Sequence, residues 1–143
     1  MTDSATFKLD PKLEKDCYVL GRFQTSRLLL LNNSLVPWFI LVPETSATEL
    51  YELPVQQQQL LLDEINMLSN HLKHNFTVDK LNVAAIGNIV SQLHIHVVGR
   101  HFDDFCWPDV VWGAEGWLSY DQKQVDTIKS QFIEQLPDSF TSI

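Results

Sequence analysis

The sequence predicts an α+β fold built on an antiparallel sheet. Two observations carry the prediction. Short apolar or alternating segments with strand character lie in two groups, and each group is followed by a stretch with helical periodicity. A third observation sets the scale: 143 residues can bury one sizeable core, and residues 1–143 read as a single domain.

Taken in order, residues 18–23 read as a short strand and residues 27–31 as another, closed by the turn-forming pair Asn32-Asn33. Residues 38–42 form a continuous apolar strand stopped by Pro43. Pro54 suits the first turn of a helix, where a missing N–H costs nothing. After it Leu61, Ile65, Leu68, Leu72 and Phe76 recur at spacings of four and three, which predicts an amphipathic helix of about five turns. Residues 79–86 and 92–98 read as two strands joined through a tight Gly87-Asn88 turn. A last helix is predicted over residues 121–136, with Val125, Ile128, Phe132 and Leu136 as its apolar stripe. Ser119 and Gln122 have the spacing of a capping box before it.

Composition narrows the function. Hydrophobic residues make up 45% and charged residues 20%, as in a soluble globular protein. A net charge of −8 argues against duplex nucleic acid held on a general basic surface, but not against a small anion held by a few local groups. Apolar runs such as residues 28–31 are far too short to cross a bilayer, and the N-terminal residues lack the pattern of a secretory signal; a cytoplasmic location is expected. Cys17 and Cys106 show no metal-type spacing and are expected as reduced thiols.

The most informative stretch is Gln92-Leu93-His94-Ile95-His96-Val97-Val98, followed by Gly99 and Arg100. Alternation sends Leu93, Ile95 and Val97 to the core and lines Gln92, His94 and His96 on the opposite face, about 7 Å apart. Imidazole serves as base, acid or nucleophile near neutral pH. Three readings stand at this point. The pair can be a solvent-facing strand surface. It can be a metal site completed by His101 or the Asp103-Asp104 pair. Or it can transfer a phosphoryl or nucleotidyl group. His71 and His74, on the first long helix, are expected to be exposed and without function.

At these residues the chain resembles the histidine triad (HIT) family of nucleotide hydrolases and transferases, whose signature alternates three histidines with apolar residues. The resemblance extends upstream through residues 81–88 to the 37–43 strand and the helix after it. Downstream, Arg100 and the 107–113 segment look like a bacterial subgroup. It implies a HIT-like fold, a five-stranded antiparallel sheet with two helices, paired as a homodimer. It also implies that His94 attacks the α-phosphorus to form a nucleotidyl-histidine that water resolves. His96 would assist the leaving oxygen. An acceptor, unnamed by the sequence, must hold the far nitrogen of His94. Catalytic residues are therefore expected at His94, His96 and Gln92. Substrate contacts are expected at Asn32, Asn82, Asn88, Arg100 and Trp107, and a base-pocket wall among Phe7, Leu9, Leu30 and Phe23. Arg100 can neutralise phosphate or pair with Asp103 or Asp104; Trp107 and Trp112 can stack on a ligand or pack the C-terminal segment.

The implied activity is hydrolysis of a dinucleoside polyphosphate or a nucleoside phosphoramidate, releasing a nucleoside monophosphate. The expected partner is a purine nucleotide or dinucleoside polyphosphate. Scarce basic residues near the motif favour a substrate of modest negative charge. No cofactor or protein-held metal is implied, with Mg²⁺ arriving only on the substrate's phosphates.

Three departures stand out. Gln92 replaces the first histidine and cannot transfer a proton. Ile89 stands where many members carry a hydroxyl, and Trp38-Phe39 where many carry a histidine. The Gln-Leu-His-Ile-His string also resembles the membrane-anchored CDP-diacylglycerol pyrophosphatase branch. The alternatives to an enzyme are a nucleotide-binding module with little catalysis and a histidine-based metalloprotein.

Overall fold

The computed structural model describes residues 6–143. Helix α1 (Pro11–Asp16) leads directly into β1 (Cys17–Arg22), followed by β2 (Ser26–Leu31) and β3 (Trp38–Pro43). A 3₁₀ turn (Leu50–Glu52) precedes α2 (Val55–Asn75), and then come β4 (Lys80–Ala84), β5 (Ile95–Arg100), α3 (Gln122–Gln135) and β6 (Thr141–Ser142). The sheet runs β4-β5-β3-β2-β1-β6, antiparallel throughout. The expected α+β architecture with five strands and two long helices is present, with two short additions: the six-residue α1 and the two-residue β6. Both are below the length at which periodicity can be read. Asp10 caps α1 by accepting from the Lys12 N–H at 2.8 Å, with Pro11 in the first turn.

Parity along the strands sorts the apolar residues into two layers. Phe39, Leu41, Ile95 and Val97 face α2 and α3, whose stripes supply Leu61, Leu68, Leu72, Val125, Ile128 and Phe132. On the other face, Trp38, Ile40, Val42 and Val98 pack with Phe7, Leu13, Val90 and Val111. The face expected to carry exposed polar residues is thus covered by the N-terminal segment and by residues beyond β5. β3 and β5 are buried along their whole length.

Three local expectations are corrected. β4 and β5 do pair, but through a ten-residue connection over 85–94 rather than a tight turn, with Gly87 at φ +67° inside it. β5 begins at Ile95, so Gln92 and His94 precede the strand. The capping box of α3 is Asp121 with Gln124, two residues after the expected pair: Asp121 accepts from the Gln124 N–H at 2.8 Å, and Gln124 accepts from the Asp121 N–H at 2.9 Å.

Candidate active site

β3 and β5 pair with Ile40 opposite His96, which makes Trp38 a diagonal neighbour of His96 on the same face, within reach of its ring. The Trp38 indole Nε1–H donates to His96 Nδ1 at 3.0 Å. His94 lies at the mouth of β5, its ring centroid 4.9 Å from that of His96. Its Nδ1 lies 2.7 Å from the Gln92 carbonyl oxygen.

These two contacts settle where the protons sit. A carbonyl only accepts, so His94 Nδ1 carries a hydrogen, and in the neutral ring Nε2 presents a lone pair. An indole only donates, so His96 Nδ1 is the acceptor and its hydrogen is on Nε2. Burial, with His94 adding to it, lowers the pKa of His96 to about 4 and keeps the ring neutral at physiological pH. One imidazole offers a nucleophilic nitrogen and its neighbour offers an N–H.

Trp112 completes the cluster. Its ring stands edge-on to His96 at 5.3 Å and to Trp38 at 5.7 Å, and its own Nε1–H is buried without an acceptor among the described residues. Trp38 and Trp112 also form one wall of a groove of about 390 Å³, which Ile86, Asn88, Ile89 and Trp117 help to line. Asn33 ties down the floor. Its side chain accepts from the Leu35 and Leu118 N–H groups and donates to the Gly116 carbonyl.

The structure separates the other expected site residues. The Gln92 side chain turns away from the imidazoles: its amide donates to the Lys8 carbonyl at 2.9 Å and its oxygen accepts from the Asp10 N–H at 2.8 Å. The expected row of three side chains fails because Gln92 lies outside the strand, where alternation no longer applies. Only its backbone carbonyl reaches the site, and it is the acceptor that the sequence left unnamed. Asn88 sits at the groove, exposed. Asn32 accepts from the Tyr120 N–H at 2.9 Å and anchors the entry to α3.

Arg100, Asn82 and Trp107 form a separate knot. Arg100 is buried, with Nε and Nη2 on Asp104 at 2.7 and 3.0 Å. Its Nη1 donates to Asn82 at 3.0 Å and Nη2 also donates to the Asp109 carbonyl. Trp107 lies over the guanidinium at 5.4 Å and edge-on to Phe102. Of the two readings of Arg100, the geometry is that of the pair with Asp104. Burial acts to raise the Asp104 carboxyl pKa, but hydrogen bonds from Arg100 and from the Cys106 and His101 N–H groups hold it below its usual range.

Further corrections concern the pocket wall and the helix histidines. Phe23 and Leu30 face the helices, on the wrong side of the sheet for a base pocket, whereas Phe7 and Leu9 belong to the site-side layer. His71 is buried rather than exposed, stacked on Phe132 with centroids 4.0 Å apart. His74 is exposed as expected. Among the described residues no group of three His, Cys, Asp or Glu is arranged to hold a metal ion, and Asp104, a candidate third ligand, is taken by Arg100. Among the same residues no helix is long and apolar enough to cross a membrane. Both cysteines are free. The role that sequence reasoning missed is that of Trp38 as the partner of His96. The signal was the departure at Trp38-Phe39, where many relatives carry a histidine, but the contact itself depends on the β3–β5 register.

The model of the HIT domain family matches residues 12–103. Similar solved structures include a histidine triad protein from Marinobacter aquaeolei, 41% identical, with TM-score 0.87 over 92% of this chain and 96% of that one. One from Bradyrhizobium japonicum is 36% identical, with TM-score 0.86 over 90% and 96%. One from Sinorhizobium meliloti is 34% identical, with TM-score 0.89 over 92% and 98%. Comparison with curated proteins finds no significant match.

Proposed function

The chain belongs to the HIT domain family, whose members are nucleotide hydrolases and transferases, and from that premise we propose that it hydrolyses nucleotides through a nucleotidyl-histidine intermediate on His94. The single observation that carries the reading is the opposed pair of tautomers: His94 Nε2 with a lone pair, beside His96 with its hydrogen on Nε2.

His94 Nε2 attacks the α-phosphorus of a dinucleoside polyphosphate or nucleoside phosphoramidate. His96 donates a hydrogen bond to the leaving atom or a phosphate oxygen. The Nδ1–H of His94, held on the Gln92 carbonyl, stabilises the cationic nucleotidyl-imidazole. Water then releases a nucleoside monophosphate. The Trp38–Trp112 groove supplies aromatic surface for a purine base or leaving group. The reading includes a homodimer and no protein-held cofactor, with Mg²⁺ travelling on the substrate's phosphates. β4, at one end of the described sheet, leaves an edge that a second copy could cover.

The test is a mass-spectrometric hydrolysis screen of wild-type protein and His94→Ala. Its panel holds adenosine and guanosine phosphoramidates, dinucleoside polyphosphates and CDP-linked compounds. Release of a nucleoside monophosphate that disappears in the variant is expected. Equal activity in both proteins would exclude His94 as the nucleophile. Calorimetric binding of a monophosphate without turnover would instead make the protein a nucleotide-binding module.

A further inference from the structure

The nucleotidyl-transfer reading leaves open which leaving groups the site can release, and the following rests on that reading. Trp38 is 8% exposed, and its ring stands edge-on to His96 and to Trp112. Trp38 and His96 occupy adjacent hydrogen-bonded strands, β3 and β5, so their relative placement is set by the sheet. The bond from Trp38 Nε1–H to His96 Nδ1 therefore has little freedom to break. A second proton on His96 would turn two N–H groups against each other in a buried place, which is costly. The indole, in turn, has no proton that it can hand over to Nδ1.

We propose that Trp38 makes His96 a fixed hydrogen-bond donor instead of a proton donor, and so restricts hydrolysis to leaving groups that depart as stable anions, such as a phosphate, over amines.

The two cases differ in proton balance. With a phosphoanhydride, the His94 Nε2 lone pair forms the N–P bond. The P–O bond breaks with its electron pair on the leaving oxygen, which departs as an oxyanion hydrogen-bonded to His96 Nε2–H. No proton moves. Water then attacks phosphorus, the N–P bond returns its pair to His94, and one proton passes to solvent. With an alkyl phosphoramidate, the departing nitrogen must gain a proton as the P–N bond breaks. A neutral His96 that gave up its only N–H would be left as an imidazolate. Trp38 is in this sense a positioning residue that acts through His96.

Two measurements test the proposal. The first compares kcat/KM for adenosine and guanosine substrates that share the nucleoside phosphoryl group but differ in leaving group: a p-nitrophenolate, a phosphate and n-butylamine. Wild-type protein is expected to favour the anionic leaving groups over the amine by about 10³-fold, within the usual range of general acid catalysis. Trp38→Phe frees His96 Nδ1, Trp38→His gives it a partner able to transfer a proton, and both should narrow that ratio at least about tenfold. Equal rates on all three in wild type, or an unchanged ratio in both variants, would overturn the proposal.

The second measurement reads the tautomer by ¹⁵N NMR of the histidine rings, independent of turnover. His96 should remain a neutral Nε2–H tautomer from about pH 5 to 8 in wild type, whereas in Trp38→Phe, with the indole donor gone, the Nδ1–H tautomer should appear beside it. A Nδ1–H tautomer, or titration above about pH 6 in wild type, would overturn the role given to Trp38. No hydrolysis of any member would overturn the nucleotidyl-transfer reading and the leaving-group restriction with it. A neutral Nε2–H His96 would then still support the positioning role.

Discussion

β5 carries two buried polar clusters on the same face, four residues apart, and they are built to opposite ends. At Arg100 the side-chain nitrogens all have acceptors: two carboxylate oxygens, an amide oxygen and a carbonyl, with an indole across the face. At His94 and His96 each ring uses one nitrogen on the protein and keeps the other. Charge alone would rank Arg100 as the better phosphate ligand. Burial and the ion pair with Asp104 rank it below two neutral rings, because four of its five N–H donors are already committed to the protein. The Arg100–Asp104 knot instead fixes the start of the chain segment that brings Val111 and Trp112 over the sheet.

The contrast can be broken most forcefully at His94. His94→Ala should lower nucleotide hydrolysis by about 10⁴-fold or more, as loss of an enzymic nucleophile does, with urea denaturation close to wild type. Comparable activity in this variant would remove the functional half of the contrast. Asp104→Ala should do the reverse. It leaves a buried guanidinium without its carboxylate, which costs about 3–5 kcal/mol of stability. A large loss of kcat at unchanged urea midpoint would show instead that this knot belongs to the chemistry.

Acid sharpens a second comparison, between His96 in the site and His71 beneath Phe132. Burial lowers both pKa values to about 4, from an ordinary 6.5, with a neighbouring histidine adding to each. A depressed histidine pKa means that the unfolded chain binds the proton first. Stability is therefore full above about pH 6.5 and falls as pH drops toward 4, by about 3 kcal/mol per buried ring. Urea midpoints measured across that window should show the loss, and His71→Phe should remove its share. A flat profile in wild type would mean that these rings are not held neutral.

The smallest effect is expected at Gln92. Gln92→Ala keeps the backbone carbonyl that orients His94, so hydrolysis should change less than about tenfold. Loss of the contacts to Lys8 and Asp10 should cost on the order of 1 kcal/mol, read as a lower thermal midpoint. A collapse of activity would assign the Gln92 side chain a catalytic role that its present contacts do not suggest.

Much of the fold was legible because period and punctuation are local. Pro43, Pro54 and the Leu61–Leu68–Leu72 stripe lie where the strand end, helix start and core face are found. His94 and His96 were legible as a pair for the same reason. Gln92 was misjudged because alternation was extended three residues before Ile95, where the strand begins. His71 was misjudged because a polar residue beside a stripe reads as exposed, whereas the helix packs Phe132 of α3 against its ring. Cap placement slipped by two residues because Ser119 and Asp121 both satisfy the local pattern, and only the path of the chain chooses between them.

By itself, then, the sequence determined the α+β order of elements, the two long amphipathic helices, the apolar strands and the adjacent pair of imidazoles, all of which follow from contacts within a few residues. Tertiary structure decided which nitrogen of each imidazole is free, that Arg100 is buried against Asp104, and that Trp38 stands against His96. Those depend on strand register and on residues as far apart as Trp38 and His96, whose meeting no local spacing encodes.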